Sequence, residues 1–204
     1  MKHKTPPSPR SSSGGEHCLC IFDNDRTLTG KQHTSCRGTH DFPGVRDPAY
    51  GGGTYKISEA MSRLKDTPCG KCKLGIISHG PVPGHAEMAK ILEVLPGKVS
   101  KEAFVWGVPE GEKQKHVKKI VDHYASQGTH IANENIYFFD DKFDNVAGFE
   151  KYKRGGKPVY PNAHQVSCKS RDTEHPSHDI KKNIGKCGAT FSEIQKHGGI
   201  KFCH

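Results

Sequence analysis

Apolar residues along this chain alternate between two patterns. Ile57, Ala60, Met61 and Leu64 fall at i, i+3, i+4 and i+7, the stripe of an amphipathic helix. Met88, Ile91, Leu92 and Leu95 repeat that spacing, and Pro96-Gly97 stops it. Val117, Ile120, Val121 and Tyr124 give a third such stripe, ended near Gly128. Between the stripes lie short unbroken apolar runs at residues 19–22, 74–77, 104–106 and 136–139, with Val159-Tyr160 as a last candidate. Unbroken runs, rather than in–out alternation, are expected of strands covered on both faces. The succession predicts an α/β domain, a Rossmann-like three-layer sandwich with a central parallel sheet.

The rest of the chain is organised around that pattern. Residues 1–16 carry Lys2, Lys4, Arg10 and Ser11 to Ser13 with no apolar stretch, which reads as a disordered leader and not as an intact secretory signal. Residues 17–160 hold the periodic segments. Within them, residues 29–55 are rich in glycine, including Gly51-Gly52-Gly53, and are expected to be a loop forming a flap or small insert. Residues 161–204, rich in Lys, His, Gly and Cys, are expected to pack on the same domain as an irregular basic extension. A chain of 204 residues supports one core and not comfortably two.

In open α/β sheets ligands bind beyond the carboxyl ends of the strands, and four polar signals stand there. Asp23-Asn24-Asp25-Arg26-Thr27 follows the first apolar run, Ser78 the second, and Asp140-Asp141 with Asp144 and Asn145 the fourth. Lys113 and Lys115 open the third helix. Carboxylates converging from two loops repel one another unless a cation sits among them, and oxygen donors favour Mg²⁺ over zinc. Taken singly, each signal is ordinary: a turn or cap for Asp-x-Asp, a satisfied strand-end hydroxyl for Ser78, a solvated helix face for Lys113.

Taken in order, these residues resemble the motifs of the haloacid dehalogenase-like (HAD) superfamily over roughly residues 19–145. The resemblance implies a Mg²⁺-dependent phosphatase that hydrolyses a phosphomonoester through an aspartyl-phosphate. Asp23 is then the nucleophile and Asp25 the general acid/base. Thr27, Ser78 and Lys113 bind substrate phosphate, with Lys115 a weaker candidate than Lys113. Asp23, the Asp25 carbonyl and the pair Asp140 and Asp141 hold the metal, with Asp141 the favoured direct ligand and Asp144 and Asn145 in support. Asp25 points to phosphoryl transfer rather than carbon–halogen cleavage, because the dehalogenases of the family lack it. Arg26 departs from the glycine common there, and either places a cation near the substrate or points into solvent. The short spacings leave no room for a large cap domain, so an open site that admits a bulky phosphate ester is expected.

Composition adds less. Net charge is +9, with pI near 9.1 and mean hydropathy −0.74. That excess favours an anionic partner, although no nucleic-acid motif accompanies it. The rival readings are an inert fold binding an anionic partner, and a phosphotransferase or nucleic-acid end-processing enzyme with the same site. No apolar run is long enough to cross a bilayer, and the compartment stays open between the cytoplasm and, after removal of a signal, the exterior. Among eight cysteines, Cys18 and Cys20 read as small core residues on one strand face. Cys69-Gly70-Lys71-Cys72 has zinc-knuckle spacing without a second pair, so disulfides or free thiols are the expectation there.

Overall fold

The computed structural model describes residues 17–97, 99–174 and 182–204. The leader at residues 1–16, and His175 and His178, lie outside the described residues.

Leu19–Phe22 forms β1 and is buried at every position, so both faces of the sheet are covered there. The chain then makes an irregular turn and a two-stranded antiparallel hairpin, β2 (His40–Asp47) with β3 (Gly53–Ile57). Residues 29–55 are thus part hairpin, where a loop was expected. Pro43-Gly44 sits inside β2, and the pairing register shifts between Phe42 and Arg46, which erases the two-residue period a strand would show. Most of β2 is exposed, so no apolar run marks it.

Helix α1 spans only Glu59–Ser62. Ser58 caps it, its hydroxyl accepting the Met61 N–H at 3.2 Å. Arg63 leaves helical geometry, and Thr67-Pro68 then disfavours any resumption. The stripe at 57–64 therefore marks a buried face shared by a strand end, one helical turn and a following tight turn. Next come β4 (Lys73–Ile77), α2 (His85–Val94), β5 (Phe104–Val105), α3 (Val117–Ser126), β6 (Ile136–Asp140) and α4 (Phe143–Lys151). Val159-Tyr160 is not a strand. A small hairpin of β7 (Lys153–Arg154) and β8 (Lys157–Pro158) precedes it, and β9 begins at Asn162 and runs to Gln165. Ile200–Lys201 is β10.

The central sheet has six strands in the order β10-β9-β6-β1-β4-β5, and every pairing in it is parallel. With helices packed on this sheet, the architecture is the three-layer α/β sandwich read from the pattern, and no large cap stands among the described residues. The core centres on β1 and β6, where Phe22 stacks on Phe139 at 5.2 Å and Phe138 stacks on Phe149 of α4 at 4.3 Å. Asp172 and Gly185 come back to the loops that follow β1 and β6, through Arg26 and Asp141.

All eight cysteines are paired, as Cys18–Cys72, Cys20–Cys69, Cys36–Cys187 and Cys168–Cys203. Cys18 and Cys20 are therefore cross-linked to the turn before β4 rather than merely packed, and the zinc reading of Cys69 and Cys72 is overturned. The widest bridge, Cys36–Cys187, spans 151 residues and ties the segment leading into the hairpin to the last part of the chain.

Candidate active site

Parallel pairing of β1 and β6 aligns Phe22 with Phe139, and one further bond, from the Asp23 N–H to the Phe139 carbonyl at 2.9 Å, extends the ladder. Asp23 thus ends level with Asp140 for a reason of register. Lys113, in the turn that leads into α3, reaches both: its Nζ lies 2.5 Å from Asp23 Oδ1 and 2.7 Å from Asp140 Oδ2. Asn145, on the first turns of α4, donates to both Asp140 oxygens at 3.0 and 2.9 Å. Lys113 and Asp140 are almost wholly buried, at 1% and 0% exposure, whereas Lys115 is exposed and paired with Glu112. Of the two lysines, only Lys113 is in the cluster.

Asp141 is held by different partners. Its Oδ2 accepts the Gly185 N–H at 2.5 Å, and its carbonyl accepts Gln165 Nε2 at 3.0 Å and Arg171 Nη1 at 2.6 Å. Gly185 cannot be replaced without disturbance, because a Cβ there would sit 2.4 Å from the Ser167 side chain. Thr27 has no exposed surface, and its hydroxyl accepts the Asp141 N–H at 3.0 Å. It binds the two acidic loops together and does not line the cavity. Ser78 and Asp25 do line it, and Asp25 Oδ2 lies 2.9 Å from where a Cβ on Gly80 would stand, so the loop after β4 approaches Asp25 closely.

Arg26 neither lines the cavity nor points into solvent. It is 3% exposed, adopts φ of 65°, and pairs through Nη1 with Asp172 at 3.2 Å and with the Gly185 carbonyl at 3.1 Å. Its guanidinium also lies 4.3 Å from the centre of the Tyr50 ring. Nothing in sequence order announces Arg171, Asp172 or Gly185 as neighbours of the acidic loops, since each is brought there by the returning tail.

Asp23, Asp140 and Asp141 each offer a carboxylate oxygen, and these atoms lie within 4.8 Å of one another. Burial pushes the Asp23 carboxyl well above the usual range against the pull of Lys113, with Asp140, Asp141 and Asp25 adding to the rise. Burial and the Asp140 carboxylate push Asp141 up to about 7, and burial raises Asp25. Desolvation works against the Lys113 ammonium, but Asp140 and Asp23 outweigh it and hold the proton more firmly than usual. Asp141 Oδ1 is among the buried polar atoms of the described residues that have no hydrogen-bond partner, and within the three-carboxylate cluster it is the one such atom. Three clustered carboxylates, an all-oxygen donor set and that orphaned oxygen fit a hard divalent cation.

Above this cluster lies a cavity of about 310 Å³, walled by the β2–β3 turn at Asp47 to Tyr50, by Ser78 to Pro83, and by Glu87, Trp106 and Lys142. Among the described residues, the tail contributes none of its lining. The β2–β3 turn gives the cavity a wall where an open site was expected.

The parallel sheet sets Asp23, Ser78, Lys113 and Asp140-Asp141 in the order on which the sequence's resemblance to the HAD-like superfamily rests. No family model matches it, and no curated protein does. A hypothetical protein of Xanthomonas campestris is similar in structure, with 13% identity, a TM-score of 0.48, and coverage of 94% of this chain and 91% of that one. The cobalt-bound deoxy-D-mannose-octulosonate 8-phosphate phosphatase of Haemophilus influenzae has 15% identity, a TM-score of 0.45, and coverage of 87% and 84%. Among the described residues, no helix is long and apolar enough to cross a membrane.

Proposed function

We propose that this protein is a HAD-like phosphatase that hydrolyses a phosphomonoester through phosphorylation of Asp23, with Mg²⁺ as its cofactor. The observation that carries the reading is the meeting of Asp23, Asp140 and Asp141 around Lys113 at the carboxyl ends of β1 and β6. Asp23 and Asp141, with the Asp25 carbonyl and with Asp140 in support, would hold the metal, which supplies positive charge against the incoming phosphate. Asp23 attacks phosphorus, forming one P–O bond as the ester P–O bond breaks. Asp25, beside Gly80 and facing the cavity, delivers a proton to the leaving oxygen, and its raised affinity for protons suits that role. It then takes a proton from the water that releases phosphate and regenerates Asp23. Lys113 and Ser78 hold the equatorial oxygens. Asn145 keeps Asp140 fixed, and Thr27 keeps Asp141 in register with the first loop.

The test is hydrolysis of p-nitrophenyl phosphate with Mg²⁺ and with EDTA. Turnover should require the metal and fall at least about a thousandfold in Asp23→Asn. Turnover that persists in that variant would remove Asp23 as nucleophile.

A further inference from the structure

Beyond the phosphate-binding end, the cavity has a composition of its own. Pro81, Val82 and Pro83 form one side, and Trp106 and Tyr50 supply aromatic surface. Val82 is 67% exposed and Tyr50 48%, so both present apolar surface that no part of the described protein covers. The wall is also stiff. Prolines fix the backbone on both sides of Val82, and Trp106 packs edge-on against Phe104 with ring centres 6.2 Å apart. Tyr50 sits at φ of 50° and is braced by the Arg26 guanidinium. Such surfaces favour rings, which lose little freedom on binding and stack well.

The wall also carries two carboxylates away from the Asp23 cluster, among neutral groups such as Ser78 and the His79 ring, whose Nδ1 is engaged with the Val108 carbonyl at 3.0 Å. Glu87 on α2 is 4% exposed and Asp47 1% exposed, and both face the same cavity. The cavity's two cations are already engaged: Lys113 with Asp23 and Asp140, and Lys142 with Glu110. The chain's excess of positive charge is therefore not spent here. A substrate with a second anionic group would meet Glu87 and Asp47 without a free cation among the described lining residues. At about 310 Å³ the cavity is near the lower end of the range for ligand sites, room for a phosphate and a small ring system.

We infer that the group carrying the phosphate is aromatic and bears no further negative charge, so that the substrate is a small aryl phosphate monoester stacked between Tyr50, Trp106 and Val82. This rests on the phosphatase reading above and adds the substrate class to it.

Trp106 is the sole tryptophan of the chain, so its emission reports directly on the wall. Binding is measured on the Asp23→Asn protein with Mg²⁺, which separates it from turnover. Phenyl phosphate should change Trp106 emission saturably, with a Kd about tenfold below that of glycerol 2-phosphate measured by competition. Val82→Asp and Tyr50→Ser, both at exposed positions, should weaken phenyl phosphate about tenfold and glycerol 2-phosphate less than about twofold. The carboxylate-bearing phosphate ester 3-phosphoglycerate should bind most weakly, and Glu87→Gln should improve it several-fold. Equal affinity for the aryl and aliphatic esters, or equal losses for both in the wall variants, overturns the inference. Metal-dependent hydrolysis of glycerol 2-phosphate and phenyl phosphate with indistinguishable kcat/KM in the parent protein overturns it too, while leaving the phosphatase reading intact. Absence of all turnover in the parent, with selective aryl binding retained, defeats the phosphatase reading and leaves the assignment of the wall.

Discussion

The βα core and the flap-and-tail region border one site but are positioned by different forces. In the core, Leu19, Ile21, Phe22, Phe138 and Phe139 are essentially without exposure, and neighbouring strands align because apolar side chains must be covered on both faces. The β2 strand is mostly exposed. Phe42 and Val45 are its packing onto the core, with Lys90 over the Phe42 ring. The chain around the hairpin is tied by a few strong contacts: Cys36–Cys187 before it and the Arg26–Tyr50 stack in its turn, with Arg26 held by Asp172. The tail is fixed in the same manner, by Cys168–Cys203 and by Arg171, which donates to the carbonyls of Asp141, Asn183 and Val166. Dispersed burial leaves a periodic trace in the sequence, and concentrated contacts do not.

The largest effect is expected at Lys113, which bridges the ends of β1 and β6. Lys113→Ala leaves Asp23, Asp140 and Asp141 clustered without their internal cation, and kcat should fall by two to three orders of magnitude, about what removal of one charge-stabilising donor costs. The loss of a buried ion-pair partner should also lower stability by about 3–5 kcal/mol, and added Mg²⁺ should restore part of the lost Tm. Phe138→Ala probes the core alone. Removing a fully buried ring stacked on Phe149 should cost about 3–5 kcal/mol in urea unfolding.

The flap gives the contrasting case. The double change Cys36→Ser with Cys187→Ser should cost about 2–4 kcal/mol globally, because a long loop is released in the unfolded chain. Amide exchange should rise more in β2 and β3 than in β1 and β6. Equal increases in all four strands would erase the distinction drawn between the two regions. The smallest effect sharpens the boundary where the tail joins the sheet. His164 of β9 packs edge-on against Phe139 at 5.3 Å, and burial, with Lys201 nearby, lowers its pKa to about 4. The unfolded chain binds the proton more readily, so this stability is complete above pH 6.5 and is lost as pH falls towards 4. It should amount to about 2–3 kcal/mol, read from urea midpoints at pH 7 and 4.5. His164→Gln should flatten that slope.

What could be read from the sequence follows the same division. The runs at residues 19–22, 74–77, 104–106 and 136–139 are strands of the sheet to within a residue or so, because burial wrote them as apolar. The polar cluster was legible too, since Asp23, Ser78 and Asp140 sit directly after those runs. Strand β9 escaped the pattern although it is buried throughout. Its Asn162 and Gln165 satisfy their amides on the carbonyls of Glu134, Ile136 and Asp141, and hydropathy cannot register that arrangement. The pairing of the cysteines was illegible for a related reason, because spacing does not say which distant turns the fold will bring together. Thr27 shows the limit in the site itself: the position fits the motif, and the hydroxyl serves Asp141 rather than the cavity.

The Gly185 N–H on Asp141 Oδ2 has a consequence for biosynthesis. Strands β1, β4 and β6 can pair while the chain is still emerging from the ribosome, yet Asp141 gains this partner only once residue 185 has been translated. The Cys36–Cys187 bond closes later still. The acidic cluster is therefore finished last, and a nascent chain halted shortly before that point would carry most of the sheet with Asp141 still lacking its backbone donor.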